Sequence, residues 1–340
     1  MSSNTSSSSS SKANLSGALS SLNIGGGNES NNDKQKAANV EIINTATICA
    51  ACGKEGDGDS MNTCNKCDLV YYCNAACKKK HRHKHKKKCE RRVAELYDKE
   101  LFKEPPPPED CPICFLPLSY ELPSEDGAVV FQSCCGKDIC NGCIYAMDEI
   151  NGANLCAFCR TPDAKSAKEI IERLEKLTEK GNADAYNQLA GDYADGEMGL
   201  SQDRQKANEL YLKAGKLGCA SAYFNLGNAY DHGEGVEVDE EKAKHYWELA
   251  AVNGNVNARY NLGCVEEDAG NNQRAMKHFL ISARVGDKDS LDKVTSGFRS
   301  GIITKDEYEE ALRTYHNSQL EMKSDARDEA TAFNETRGIG

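Results

Sequence analysis

Cysteine spacing constrains this chain more than any other feature of its sequence. Fifteen of the seventeen cysteines lie between Cys49 and Cys159, and most form pairs separated by two residues. Such a pair lets one tight turn present two thiolates to a metal ion about 2.3 Å from each sulfur. Residues 49 to 159 are therefore expected to fold around metal ions or disulfides rather than around a large apolar core.

The amino-terminal sequence favours metal ions over disulfides. Residues 1–32 are rich in Ser, Asn and Gly and show no secretory signal, and no later stretch approaches about 18 consecutive apolar residues. We therefore expect a reducing compartment, cytoplasmic or nuclear, with no membrane partner. Four zinc ions, two for each cysteine cluster, are the predicted cofactors.

The first cluster supplies eight candidate ligands with two kinds of spacing. They are Cys49, Cys52, Cys64, Cys67, Cys73, Cys77, His85 and Cys89. The last four are spaced four apart within each pair, which places each pair on one helical face. A helix rises roughly 12 Å from Cys77 to His85, too far for one ion, so the two halves serve different zinc ions.

This order of ligands, with the aromatic pair Tyr71 and Tyr72 before the fifth, resembles the MYND zinc finger. The resemblance implies cross-braced zinc sites formed by Cys49, Cys52, Cys73 and Cys77 and by Cys64, Cys67, His85 and Cys89. Many MYND fingers bind proline-rich peptides through a Gln and a Trp. Lys78 and Arg82 stand at those places here, so the surface fits an acidic or phosphorylated partner better.

Residues 78–88 form a dense basic run that has several interpretations. The favoured one is a solvated helix face around a zinc site, with His85 as ligand and His81 and His83 facing solvent. A nuclear-import signal is a second interpretation. Nucleic-acid association through 78–88 is the weakest, because the whole chain carries a formal net charge of -11, whereas nucleic-acid binders usually carry a basic balance.

The second cluster contains only cysteines and resembles a RING finger. Lys137 stands where a RING usually has a histidine, and Cys135 stands where all-cysteine variants place a substitute ligand. Cys134 is then the third ligand, directly adjacent to the fourth. The resemblance implies one zinc site formed by Cys111, Cys114, Cys140 and Cys143 and another formed by Cys134, Cys135, Cys156 and Cys159.

A RING resemblance implies recruitment of a ubiquitin-conjugating enzyme without a covalent intermediate on the finger itself. Ile113 stands where an apolar contact to that enzyme is usual, and Arg160 stands where an arginine bridges both partners. Two features depart from the family: Ala157 replaces the usual proline, and no Trp lies on the central helix, where Tyr145 and Met147 are the nearest substitutes.

The carboxyl half repeats with a period of about 36 residues, which indicates a solenoid of helix pairs. Units begin at Ala183, Ala220 and Val256, with equivalent leucines and alanines in each unit, namely Leu189, Leu226, Leu262, Ala207, Ala243 and Ala275. This pattern resembles the SEL-type repeat, a relative of the tetratricopeptide repeat. Aromatic side chains in the units are expected to be interhelical core, and Cys219 and Cys264 are expected to be buried small side chains.

The predicted fold is multidomain: two small cross-braced zinc modules followed by an all-α helical-repeat solenoid. The predicted segments are a disordered tail 1–47, a MYND-type finger 48–89, a helical and Pro-rich linker 90–109, a RING-like finger 110–162, repeats with a degenerate closing pair 165–318, and a flexible tail 319–340. The sequence indicates a protein-protein interaction scaffold, and the alternative is a RING-type ubiquitin ligase whose repeats recruit substrate. It carries no other catalytic signature.

Overall fold

The computed structural model describes residues 47–56, 61–118, 129–151 and 154–337. The predicted disordered tail lies outside these residues apart from Thr47. The strands are β1 (Thr47–Ile48), β2 (Glu55–Gly56), β3 (Asn62–Thr63), β4 (Tyr71–Tyr72), β5 (Val129–Gln132) and β6 (Lys137–Cys140). The helices are α1 (Ala75–Leu101), α2 (Asn141–Asn151), α3 (Ala167–Glu179), α4 (Ala183–Asp195), α5 (Arg204–Lys216), α6 (Ala220–His232), α7 (Glu240–Val252), α8 (Val256–Asp268), α9 (Asn272–Arg284), α10 (Lys288–Arg299), α11 (Lys305–Glu321) and α12 (Asp325–Arg337).

The chain divides into two compact units, Met1–Glu100 and Leu101–Gly340. In the first unit, β1 pairs with β2 and β3 pairs with β4, both antiparallel. The buried cluster of this unit contains Tyr72 and the sulfurs of Cys64, Cys67 and Cys89. Few apolar side chains are buried in the described part of this unit, which is typical of small modules that metal ligation stabilises.

Helix α1 extends through 27 residues, from the first finger into the predicted linker. Its first turn is capped by Asn74, whose side-chain oxygen accepts a hydrogen bond of 2.8 Å from the backbone N–H of Cys77. Cys73 therefore precedes the helix. Its spacing had predicted that it would share a helical face with Cys77, and that prediction is wrong. The helix ends before Pro105, which lacks the N–H that a continuing helix needs.

Three helix pairs, α4 with α5, α6 with α7 and α8 with α9, form the repeats of the second unit. Their equivalent positions are buried, with the three leucines between 1% and 6% exposed and the three alanines no more than 1% exposed. Asn182, Asp203, Asp239 and Asn255 each accept a backbone N–H at the start of a helix. The 3.6-residue pattern of the sequence is therefore realised as helices with polar caps at regular intervals.

Glycines let paired helices approach closely in the second and third repeats. A Cβ atom at Gly227 would collide with the indole of Trp247, and one at Gly263 would collide with the ring of Phe279. Trp247 is 5% exposed and its indole N–H donates to the side-chain oxygen of Asn228 at 3.0 Å. The repeat aromatics therefore form interhelical core, as their periodicity predicts.

The second finger packs against the repeats within the second unit. Strands β5 and β6 are antiparallel, and Phe131 of β5 lies against the core of the first helix pairs. The side-chain amide of Asn182 donates to the carbonyl of Gly136 at 3.3 Å. This finger is therefore buttressed by the solenoid, whereas the sequence had predicted a separate small module.

The carboxyl end corrects a second expectation. Residues 319–340 were predicted to be a flexible tail, yet α11 extends to Glu321 and Asp325–Arg337 form α12. Helix α12 packs along α2 of the second finger, where a Cβ at Gly142 would meet the backbone of Ala326 and Arg327. Ala330 is only 1% exposed because it lies in this contact. Among the described residues, none of the helices is both long and apolar enough to cross a membrane.

Candidate metal centres

The sixteen candidate ligands lie in four sets, grouped as the family resemblances imply. In each set the ligand atoms are within 4.8 Å of one another. The sets are Cys49, Cys52, Cys73 and Cys77; Cys64, Cys67, His85 and Cys89; Cys111, Cys114, Cys140 and Cys143; and Cys134, Cys135, Cys156 and Cys159. Four sulfur or nitrogen donors converging on one point match the tetrahedral preference of Zn²⁺.

Both fingers use the same backbone turn to build these sets, which we call the cysteine turn. It occurs at each of the four pairs that are separated by two residues and begin with Cys49, Cys64, Cys111 and Cys156. In each turn the residue after the second cysteine donates its N–H to the carbonyl of the first, at 2.9 to 3.0 Å. That residue has positive φ in all four turns, at Gly53 (73°), Asp68 (51°), Phe115 (57°) and Arg160 (61°).

Positive φ is costly for residues other than glycine. Three of the four cysteine turns nevertheless place such a residue there. Each turn aims both sulfurs of its pair at one point, so the strain coincides with the geometry that a metal ion needs. Sequence spacing indicated the pairs but not the backbone conformation, because Phe and Arg do not mark a left-handed residue and Asp does so only weakly.

In the second set, His85 is placed as the nitrogen ligand. Its Nε2 lies 3.2 Å from the sulfur of Cys67, and the residue is 6% exposed. Burial lowers the pKa of His85, which favours the neutral imidazole that a metal ligand must be. His83 is exposed. His81, which was expected to face solvent, is instead half-buried, and its Nδ1 is 3.2 Å from the hydroxyl of Tyr72.

In the first set, hydrogen bonds separate the pKa values of the thiols. A hydrogen bond from the backbone of Cys73 lowers the pKa of Cys49 to about 6. A side-chain hydrogen bond with Cys73 raises the pKa of Cys77 to about 12. Their sulfurs lie close together, with Cys73 Sγ 3.5 Å from Cys77 Sγ. Four adjacent thiolates therefore require a cation among them, and a divalent ion supplies that charge.

In the fourth set, two adjacent cysteines contribute together. Residues 133–136 connect β5 to β6, and the N–H groups of Cys135 and Gly136 both donate to the carbonyl of Gln132. This tight connection places Cys134 Sγ 3.4 Å from Cys159 Sγ and Cys135 Sγ 4.0 Å from Cys156 Sγ. Lys137 begins β6 and is exposed, so the residue at the usual histidine position lies outside the set.

The third set has a neighbour that the spacing of its ligands does not reveal. Arg327 of α12 donates to the carbonyls of Pro117 at 2.9 Å and Met322 at 2.8 Å. Its other terminal nitrogen lies 3.4 Å from the carbonyl of Leu116 and 3.8 Å from the sulfur of Cys114. A positive charge next to a four-cysteine set offsets the formal charge of about -2 that four thiolates leave on Zn²⁺.

The two residues expected to contact a conjugating enzyme differ in their surroundings. Ile113 is half-buried against the core of the second finger. The Arg160 guanidinium lies 3.9 Å from the sulfur of Met147. Tyr145, on a different face of α2, instead contacts Phe333 of α12, with ring centroids 5.1 Å apart. Arg160 itself is exposed.

A cavity of about 560 Å³ lies on the first finger beside the second set. It is lined by backbone and side chains around Asn65 and Tyr72 and by one face of α1. Its basic residues are Lys66, Lys78, Lys79, Arg82 and Lys86. Lys78 is oriented by a 2.8 Å hydrogen bond to the side-chain oxygen of Asn65. The cavity is therefore suited to a ligand that carries negative charge.

Comparison with known families agrees with the first finger and the repeats. Residues 49–89 match the MYND finger family, and residues 183–219 and 220–255 each match the Sel1 repeat. The chain therefore carries a MYND finger and Sel1 repeats, as the sequence analysis predicted. The RING-like character of the second finger stays a prediction.

Curated relatives share only part of this architecture. The ERAD-associated E3 ubiquitin-protein ligase component HRD3B of Arabidopsis thaliana is 30% identical over 137 residues, covering 39% of this chain and 20% of that protein. Its counterpart HRD3A is 30% identical over 135 residues, covering 38% and 17%. The chitin synthase regulator SKT5 of Saccharomyces cerevisiae is 30% identical over 96 residues, covering 28% and 14%. The match thus spans about a fifth or less of these relatives.

Among solved structures, a Sel1 repeat protein from Oxalobacter formigenes is similar to 53% of this chain and to 70% of its own chain. The identity is 24% and the TM-score is 0.41.

A MYND finger implies zinc binding, and MYND fingers and Sel1 repeats typically mediate protein-protein interaction. The chain is therefore a zinc-finger protein with interaction modules.

Proposed function

We propose that the chain is an interaction scaffold that binds four zinc ions, two in each finger. The observation that carries the zinc count is the cysteine turn, which recurs with the same hydrogen bond and positive φ in the MYND finger and in the second finger. A turn that holds zinc in one finger is expected to hold the same ion in the other.

Elemental analysis of protein purified without added metal tests this count. The expected result is four zinc ions per chain, because all four sets contain four donors at ligand spacing. Cys156→Ser should lower the count by one, and Cys219→Ser should not change it. Two ions per chain, or mainly iron, would mean that one of the two fingers does not bind zinc as proposed.

The basic cavity on the first finger supplies the proposed partner class. Its lining is positively charged over one face of α1, so an acidic or phosphorylated peptide segment fits it better than a neutral proline-rich one. Exposed charges contribute mainly through steering and are screened by salt. We expect binding that weakens as ionic strength rises.

Fluorescence anisotropy with labelled acidic peptides tests this surface. Lys78→Glu combined with Arg82→Glu should abolish binding while preserving zinc content. Lys84→Glu, on the same helix but outside the cavity lining, is the matched control and should bind normally. Tight, salt-sensitive binding of DNA or RNA that the double variant loses would replace the peptide partner with a nucleic acid.

A second candidate function is RING-type ubiquitin ligation with the repeats recruiting substrate. It is favoured by Arg160, which a cysteine turn holds exposed and beside Met147 of α2. The similarity to proteins named as components of a ubiquitin ligase agrees with it, although they cover only part of the chain.

An autoubiquitination assay with a panel of conjugating enzymes separates the two candidates. If the second finger is a ligase, Ile113→Ala and Arg160→Ala should each lose activity at unchanged zinc content. Arg299→Ala, an exposed arginine on α10, is the matched control and should remain active. Absence of ubiquitin chains with every enzyme in the panel would exclude the ligase function and leave the scaffold as the remaining candidate.

A further inference from the structure

Residues 101–108, Leu-Phe-Lys-Glu followed by four prolines, lie against the third helix pair of the repeats. The sequence gives this segment the role of a spacer. Leu101, however, is only 1% exposed. Arg259 of α8 donates to the carbonyl of Leu101 at 2.7 Å and to that of Lys103 at 3.3 Å. The segment is therefore held by specific polar contacts, as a bound peptide would be.

Arg259 is a charged side chain in an almost fully buried position, with 2% of its surface exposed. Burying a guanidinium is costly unless its donors are satisfied. Two of its terminal donors reach main-chain carbonyls of the segment, and its Nε has no partner among the described residues. Recognition of carbonyls depends on backbone position rather than side-chain identity, so Arg259 can position any segment that follows this path.

Phe102 supplies a side-chain contact of the kind that gives specificity. Its ring centroid lies 4.7 Å from that of His278. The Arg274 guanidinium and the Lys277 ammonium each lie 5.1 Å from the Phe102 ring centroid. His278 is fully buried, and both ring nitrogens lack partners among the described residues. Cations above an aromatic face are attracted by its quadrupole, so this part of the groove selects an aromatic residue.

An acidic residue and prolines follow at fixed distances. The Glu104 carboxylate lies 3.3 Å from a terminal nitrogen of Arg284. Pro106, Pro107 and Pro108 then line a cavity of about 360 Å³ together with residues 218–221, at the start of α6, and the loop 253–255 before α8. Consecutive prolines hold an extended conformation without internal hydrogen bonds, so this part of the segment is stiff before it binds.

We propose that the groove formed by Arg259, Arg274, Lys277, His278 and Arg284 is a peptide-binding site that residues 101–108 occupy in cis. The partner it fits is a protein segment with an aromatic residue, an acidic residue two positions later and prolines after it. This rests on the proposed scaffold function and assigns its repeats a ligand chemistry. Apolar packing would hold a permanent linker without the desolvation cost of buried charges. Four cationic residues around the segment instead match recognition of an exchangeable peptide.

Tethering sets the expected affinities. A covalently attached ligand acts at an effective concentration of about 1 mM, so a free peptide competes poorly with it. The test uses the full chain carrying Phe102→Ala with Glu104→Ala and a fluorescein-labelled peptide of residues 98–109. We expect saturable binding at least tenfold tighter than to the unaltered chain. A peptide with alanine at the phenylalanine position should bind at least tenfold more weakly.

Rim variants and an exchange measurement complete the test. In the double variant, Lys277→Ala and Arg284→Ala should each weaken binding about threefold to tenfold, whereas Lys288→Ala, an exposed lysine on α10, should not. In the unaltered chain, excess peptide should speed hydrogen exchange at residues 102–104 as they are displaced. The proposal is overturned if the double variant keeps its helical circular dichroism but shows no saturable binding, because the segment is then a fixed linker. Equal binding of the alanine peptide, or unchanged hydrogen exchange at residues 102–104, would overturn it as well. Such results would not bear on binding by the first finger. The scaffold function is tested separately by fluorescence anisotropy with acidic peptides.

Discussion

The two fingers share one local solution and differ in what surrounds it. Each uses two cysteine turns and two further pairs of ligands. The first finger has a buried cluster made almost entirely of ligands and one tyrosine. The second is packed against the solenoid through Phe131 and against α12 through Gly142. The comparison teaches that the same turn can be built in a finger with few apolar contacts or in one that tertiary contacts support.

Removal of metal should separate the fingers most strongly. Structural zinc contributes about 10 to 16 kcal/mol to folding in small finger peptides. A strong chelator should therefore abolish hydrogen-exchange protection in β1 to β4 completely and in β5 and β6 only partly, because repeat contacts remain. Circular dichroism should show a modest helical loss. Equal loss in both fingers would mean that the buttressing contributes nothing, and collapse of the helical signal would mean that the repeats depend on the fingers.

Histidine substitutions should sharpen the ligand assignment in the first finger. His85→Ala should remove one zinc ion per chain or weaken its binding more than about 100-fold, because it takes away a direct ligand. His81→Ala should keep the ion and lose about 1 kcal/mol through its contact with Tyr72. His83→Ala should change neither quantity. Zinc content and chelator titration measure both effects, and equal zinc loss in all three variants would misplace the ligand.

Arg327→Ala should weaken the second finger without affecting the first. Loss of a half-buried cation that donates to three carbonyls should cost about 1 to 3 kcal/mol and accelerate zinc release from the third set. Arg327→Lys should rescue only part of this, because an ammonium cannot reproduce the forked geometry. Arg313→Ala, which removes an exposed arginine from α11, is the control. Unchanged release kinetics would show that α12 merely rests on the finger.

The smallest effect is expected at the strained residue of the cysteine turns. Asp68→Gly and Phe115→Gly relieve positive φ but add freedom to the unfolded chain, so each should stabilise its finger by about 0.5 kcal/mol. Phe115→Val should destabilise instead, since a β-branched residue resists this conformation. Thermal unfolding of the zinc-loaded protein measures these shifts. Destabilisation of the first finger by Asp68→Gly would assign the aspartate a contact beyond its backbone role.

Local spacing predicted much of this molecule. Pairs of cysteines separated by two residues and the repeat period depend on short-range geometry, so the candidate ligand pairs, the MYND finger and the Sel1 repeats follow from nearby residues, whereas the grouping of pairs into four sets came from the family resemblances. The position of His85 four residues before Cys89 was enough to select it over two neighbouring histidines, because a helix fixes that spacing.

What the sequence did not reveal depends on distant contacts. Arg327 is 213 residues from Cys114, and Arg259 is 158 residues from Leu101. Neither arginine stands in a motif. The segment 319–340 is polar enough to suggest a flexible tail, and it is the contact with α2 that explains why residues 325–337 form a docked helix. Sequence patterns report what neighbours along the chain can do, and these partners become neighbours only after folding.

The contact between α12 and the second finger has a consequence for the order in which the chain becomes complete. A ribosome adds about 5 to 20 residues per second. The 213 residues between Cys114 and Arg327 therefore take roughly 10 to 40 seconds to synthesise. During that interval the nascent finger can acquire zinc, but the surface of α2 around Gly142 and Tyr145 stays accessible to chaperones. Translation speed downstream of the finger thus sets how long that surface remains open before its own helix covers it.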